Sequence, residues 1–172
     1  VGLIVFDDQI REHWPTSARG GKLSAVLHAI DRAQPNSGTN LKVPFERFHE
    51  VERGRGLVAV ISDFYCDADA LLKSVQPLAY QGQDVILFQL LDPQELKPVL
   101  KESALIEDME SGQTMEVSPI YMSSKYRERI DAHVEAMHRS AMRAGADHRL
   151  VNITEPLDSV LRSYLLFRQR RG

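Results

Sequence analysis

Few residues in this chain can do chemistry, and their spacing excludes most of what they might do. Gly20-Gly21-Lys22-Leu23-Ser24 carries the glycine-lysine pair of a phosphate loop. That loop also needs Ser or Thr directly after the lysine and a further glycine at the position of Thr16, so a glycine turn entering a helix is the better reading. Gly54-Arg55-Gly56 precedes a strand instead of following one, the wrong order for a dinucleotide fingerprint. His133 and His138 are five apart in one helical stretch, so they diverge around its axis and do not share a face as zinc-binding pairs do. Cys66 lies where a helix amino terminus lowers a thiol pKa, but no Arg or His is near it in sequence, and an inert small hydrophobe is expected. Asp63, Asp67 and Asp69 gather at a helix start, where carboxylates satisfy unpaired N–H groups and the helix dipole. Capping accounts for Asp67 and Asp69. Asp63 ends a buried strand at the rim where open α/β sheets place ligands, and for it both a cap and a ligand role stand open.

The elements that must position Asp63 follow from periodicity. Gly2–Phe6 reads as a buried strand, turned by Asp7-Asp8 into a short strand from Ile10 to Trp14. Leu23, Val26, Leu27 and Ile30 form one helical stripe between Gly21 and Pro35, and Thr39 can cap a further helix reaching Arg53. Leu57–Ile61 is an apolar, β-branched run, as expected of a strand covered on both faces. A helix through Leu71, Leu72, Val75 and Leu78 leads to a second buried strand, Val85–Leu91. Strand, helix, strand in this rhythm implies a right-handed parallel crossover, so Asp63 and Asp92 leave the sheet at the same rim. Leu105–Met109 and Thr114–Val117 read as an inserted hairpin, followed by a long helix from Pro119 to Ala144, a strand from His148 to Ile153 and a helix opening at Pro156.

The composition narrows the partners. With 172 residues, 43% of them hydrophobic, the chain can bury roughly 70% of its unfolded surface as one domain over residues 1–172. A net charge of −3 gives no electrostatic footprint for nucleic acid or an anionic membrane. Arg168-Gln169-Arg170-Arg171 reads as a solvated helix end. A single cysteine fits a reducing, cytoplasmic setting, and no apolar run approaches the ~20 residues of a membrane helix. Val1 stands almost at the start of a strand, so the chain reads as a fragment or trimmed product.

The order Val1-Gly2-Leu3-Ile4-Val5-Phe6-Asp7, then Ser37-Gly38-Thr39-Asn40, then Ile61-Ser62-Asp63-Phe64 resembles a von Willebrand factor A-type domain. More narrowly, the chain is similar to the bacterial domain-of-unknown-function family 58. That likeness also rests on Asp84–Leu96, on Glu107–Gly112 and on Thr154-Glu155-Pro156-Leu157-Asp158, and it spans nearly the whole chain. It implies a doubly wound, mainly parallel, Rossmann-like sheet whose central first strand and helix are missing here, with an extra β-hairpin insertion. The resemblance also implies a metal-ion-dependent adhesion site, in which Thr39 and Asp63 match two elements while the Asp-x-Ser-x-Ser loop would precede Val1. Oxygen donors of that kind suit Mg²⁺ or Mn²⁺ in the full-length protein, and Thr39 with Asp63 alone would be a crippled site. The missing strand would lie between Gly2–Phe6 and Leu57–Ile61, so those two strands are expected to pair with each other or with a second copy, giving a homo-oligomer.

The expectation for function is a non-enzymatic, metal-dependent protein-binding module. The resemblance adds a MoxR-type AAA+ ATPase as partner, in a chaperone-like or complex-assembly role. Its rivals are a Mg²⁺-dependent hydrolase or phosphoryl-transfer enzyme using Asp63 and a metal-free scaffold.

Overall fold

The computed structural model describes residues 1–34, 40–52, 54–107 and 112–169. Thr39 and residues 108–111, on which part of the inserted-hairpin expectation falls, lie outside them. The chain begins with an antiparallel hairpin, β1 (Leu3–Phe6) and β2 (Ile10–Trp14), with an irregularity in register between Val5 and Phe6. Its turn is closed by Asp7, whose carboxylate accepts from the Gln9 amide at 2.9 Å and from Arg11 Nε at 2.6 Å. Helices α1 (Lys22–Arg32) and α2 (Lys42–Val51) follow. The Asn40 carboxamide accepts the Lys42 amide at 2.9 Å at the entrance to α2, and the Asn40 amide donates to the Asp7 carbonyl at 2.9 Å, tying this entrance to the hairpin.

Then come β3 (Leu57–Ser62), α3 (Ala68–Tyr80), β4 (Asp84–Leu91) and the single turn α4 (Pro93–Leu96). The inserted hairpin is β5 (Ala104–Glu107) with β6 (Thr114–Val117). The expected long helix starts with the short α5 (Pro119–Tyr121) and a π-helical turn, Met122–Tyr126, before becoming the regular α6 (Arg127–Ala144). Strand β7 (Asp147–Asn152) and helix α7 (Leu157–Gln169) complete the described elements.

The central sheet is parallel and three-stranded, in the order β3-β4-β7. Strand β4 lies in the middle, and its alternation decides which helix goes where. Val85 and Leu87 point into a core with Leu71, Val75 and Leu78 of α3 and Met137 and Ala141 of α6. The intervening residues face the other way, where the Phe88 ring meets Tyr164 of α7 edge-on at 5.5 Å. Arg168 of α7 pairs with Asp84 at the start of β4, so this residue of the terminal basic cluster serves the fold.

Three expectations are corrected. Strand β3 is not covered on both faces: Val60 is buried, but Leu57 and Ile61 are 56% and 63% exposed, because α7 reaches only the β4 side of that face and β3 is the sheet edge. Nor do Gly2–Phe6 and Leu57–Ile61 pair with each other. Strand β1 pairs with β2 alone among the described strands, since a short turn closed by Asp7 makes the local partner the cheaper one to reach. The predicted α1 stripe is also only partly used: Val26 is buried with Ala29, whereas Leu23, Leu27 and Ile30 are more than half exposed.

The core assignment makes a measurable contrast. Leu87→Ala, at a fully buried position of β4, should cost about 3 kcal/mol in urea unfolding through lost transfer energy and a cavity. Leu27→Ala on the exposed side of α1 should stay within about 0.5 kcal/mol. Equal losses would place α1 in the core.

Candidate functional site

The carboxyl rim of the sheet is where the polar side chains converge. Strands β3 and β4 run in register, with Ser62 opposite Gln89, so both deliver their carboxyl ends to this rim. Asp63 follows β3 directly and is exposed. The next residue, Phe64, is fully buried and has a φ of 53°, in the left-handed region that side chains other than glycine avoid. Such a conformation costs about 1–2 kcal/mol and persists where surrounding contacts enforce it.

Those contacts are specific. Ser62 Oγ accepts the Phe64 amide at 3.1 Å, and Asp63 Oδ1 accepts the Tyr65 amide and the Ser62 hydroxyl, each at 3.3 Å. The Asp63 carbonyl accepts Gln89 Nε2–H at 2.9 Å. The Phe64 carbonyl accepts the Cys66 amide at 2.7 Å and, from α6, the His133 Nε2–H at 3.0 Å. The Tyr65 ring stacks on His133 with centroids 5.8 Å apart, and its hydroxyl donates to Glu95 Oε1 at 3.0 Å. The other Glu95 oxygen accepts the Asp92 amide at 2.7 Å, completing a capping box at α4.

Gln89 ties this turn to a second histidine. It is 0% exposed in the middle of an apolar strand, so both ends of its carboxamide need partners. Its nitrogen goes to the Asp63 carbonyl, which leaves Oε1 to accept from His148 Nε2 at 3.1 Å. His148 is thereby the tautomer protonated at Nε2. Burial, then the neighbouring His138, pushes its pKa down from the ordinary 6.5 to about 4, so the ring is neutral near pH 7. His138 meets that ring edge-on, with centroids 5.6 Å apart.

The thiol and the phenol at this rim are kept protonated. Burial, with the Asp67 and Asp63 carboxylates beside it, raises the Cys66 thiol to about 11. Burial, Tyr126 and Glu95 push the Tyr65 phenol up as well. Asp67 caps α3 by accepting the Asp69 and Ala70 amides at 3.0 Å, as the sequence led one to expect. Asp63 does not cap a helix, and its second carboxylate oxygen accepts no hydrogen bond among the described residues.

Of the two metal ligands implied by the family resemblance, Asp63 lies at the rim, while Thr39 is outside the described residues. Carboxylate oxygen suits a hard cation, but among the described residues no group of three or more His, Cys, Asp or Glu side chains converges as a metal centre would require. Sequence spacing missed Gln89, His148, Tyr65 and Glu95, and it weighed His133 only as a zinc ligand. Gln89 carried a readable signal as the lone polar residue inside Val85–Leu91.

Fold and rim together define a mixed α/β protein with a parallel three-stranded sheet and a carboxylate-bearing carboxyl edge. The chain belongs to the family described as protein of unknown function DUF58, whose model matches residues 1–143. No curated protein matches it. Among solved structures it is similar to the conserved hypothetical protein BatB from Bacteroides thetaiotaomicron, with 13% identity and a TM-score of 0.57 over 99% of this chain and 79% of that one. It is also similar to an aerotolerance-related membrane protein from Bacteroides fragilis carrying multiple mutations to serine, with 13% identity and a TM-score of 0.51 over 88% and 71% of the two chains. Likeness at this identity speaks for the fold. Among the described residues no helix is long and apolar enough to cross a membrane.

The neutral state of His148 has a pH signature. Its folded pKa lies below its unfolded value, so its contribution is complete above about pH 6.5 and is lost as pH falls toward 4. The Asp7 carboxyl, held at about 2 first by Arg11, releases its contribution only below that window. The urea midpoint of the native protein should therefore drop between pH 7 and 4.5 more than that of His148→Gln, which keeps a donor without the titration. Parallel slopes would show that burial does not hold this imidazole neutral.

Proposed function

We propose that this chain is a protein-interaction module of von Willebrand factor A type, engaging its partner at the carboxyl rim through Asp63 and carrying out no covalent chemistry. The observation behind this reading is the Asp63 carboxylate, exposed at the end of a parallel strand on a turn that five side chains and a strained backbone keep in one shape. A docking group is used repeatedly without being consumed, and a fixed turn limits the ordering cost of each encounter. The thiol and phenol next to Asp63 are held protonated, which favours binding over nucleophilic catalysis.

In this reading Asp63 contributes one ligand to a hard divalent cation, Mg²⁺ or Mn²⁺. Thr39 and further oxygen donors supply the rest of the sphere, and a partner carboxylate completes it. The family resemblance suggests a MoxR-type AAA+ ATPase as that partner, in a cytoplasmic assembly or chaperone role. A Mg²⁺-assisted hydrolase and a metal-free scaffold are the competing readings.

Calorimetric titration of the full protein with MgCl₂ separates the three. Binding heat should be present in the native protein and lost in Asp63→Asn, together with Mg²⁺-dependent capture of the purified ATPase. Unchanged heat in the variant would remove Asp63 from the site, no heat in either would favour the scaffold, and Mg²⁺-dependent turnover of a generic phosphoester would favour the hydrolase.

A further inference from the structure

We propose that helix α6, with the π-helical turn that leads into it, sets the orientation of the Asp63 carboxylate, and that His133 and Gln89 are positioning residues through which it does so. This rests on Asp63 being the group that meets a partner or cation.

Three consecutive rim residues are each tied to this one helical stretch. Tyr65 is met by the stacked ring of His133. Phe64 is gripped at its carbonyl by His133 Nε2. Asp63 is reached indirectly: its carbonyl takes Gln89 Nε2–H, Gln89 Oε1 takes His148 Nε2–H, and the His148 ring abuts His138 of α6. Histidines five apart thus act on the same turn from two sides, one directly and one through β7 and β4.

The turn has a reason to respond. Phe64 is held at a φ of 53° against its own preference, so loosening the grip releases strain and turns the peptide planes on either side of it. Because the Tyr65 amide, part of the plane that follows Phe64, donates to Asp63 Oδ1, the carboxylate turns with it. The π-helical turn Met122–Tyr126 gives α6 a place to shift, since such turns accommodate one extra residue within a helix. Pressure on α6 from a bound partner is in this way passed to Asp63, and by reciprocity occupation of Asp63 biases α6.

Amide hydrogen exchange on the full protein tests the linkage without any metal. In His133→Ala, exchange of the Phe64, Tyr65 and Cys66 amides should speed at least tenfold while the β4 amides Ile86–Leu90 stay at the native rate. His133→Gln, which retains a donor, should restore most of the protection. Faster exchange of turn and β4 amides by the same factor would reduce His133 to a general stabiliser and overturn the proposal, as would unchanged turn exchange. Mg²⁺ affinity of the folded His133→Ala variant should also fall at least fivefold, and native affinity despite a loosened turn would refute control of Asp63. If the native protein binds no Mg²⁺, the cation reading fails while the exchange experiment still decides the role of α6.

Discussion

A glutamine with no exposed surface in the middle of the central strand is the constraint on which the rim depends. Leaving a carboxamide buried without partners costs several kcal/mol, so Gln89 must be met at both ends. Its nitrogen takes the Asp63 carbonyl and its oxygen takes His148. The first contact fixes where the chain leaves β3. The second fixes the tautomer of His148 and requires that ring to stay beside β4, under α6. An apolar residue at position 89 would fill the same space in the sheet and ask for neither. The specificity of the rim is thus written into the core, where a polar group with one acceptable arrangement excludes the alternatives.

The strain at Phe64 belongs to the same logic. A buried aromatic ring gains by filling the core beside Leu71 and Val75, and the backbone reaches that place only through the left-handed region. The cost of about 1–2 kcal/mol is smaller than the roughly 1.5–3 kcal/mol recovered by burying such a ring. Side-chain hydrogen bonds to the carbonyls on either side of the Phe64 α-carbon then make the strained form the satisfied one.

Much of this architecture was legible from periodicity. The runs Leu57–Ile61 and Val85–Leu91, the helix between them and the rim position of Asp63 all emerge where the pattern places them. An apolar run reads alike in a covered strand and an edge strand, however, so the exposure of Leu57 and Ile61 could not be read locally. The three exposed residues of the α1 stripe are the helical counterpart, because amphipathicity names a face without naming what covers it. The site was less legible than the fold. His133 reaches Phe64 across 69 positions of sequence, and no motif spacing encodes a contact of that kind. Gln89 is the exception, since a lone amide in a buried strand announces a partner before the partner is known.

The acidic residues of the rim look equivalent in sequence, and only their partners sort them. Asp67 is engaged by two amides of α3. Asp92 accepts the Gln94 amide at 2.7 Å, and Glu95 divides its oxygens between the Tyr65 hydroxyl and the Asp92 amide. Each of these carboxylates is needed where it is, because removing it strands a backbone or phenolic donor. Asp63 has one oxygen committed to its own turn and the other directed at nothing among the described residues. Its first oxygen serves the turn as the others serve their caps, and what sets Asp63 apart is the second oxygen, left uncommitted on a turn held by a buried glutamine and a helix histidine. That uncommitted oxygen is why the proposed function rests on Asp63 and not on the capping carboxylates Asp67 and Asp92 around it.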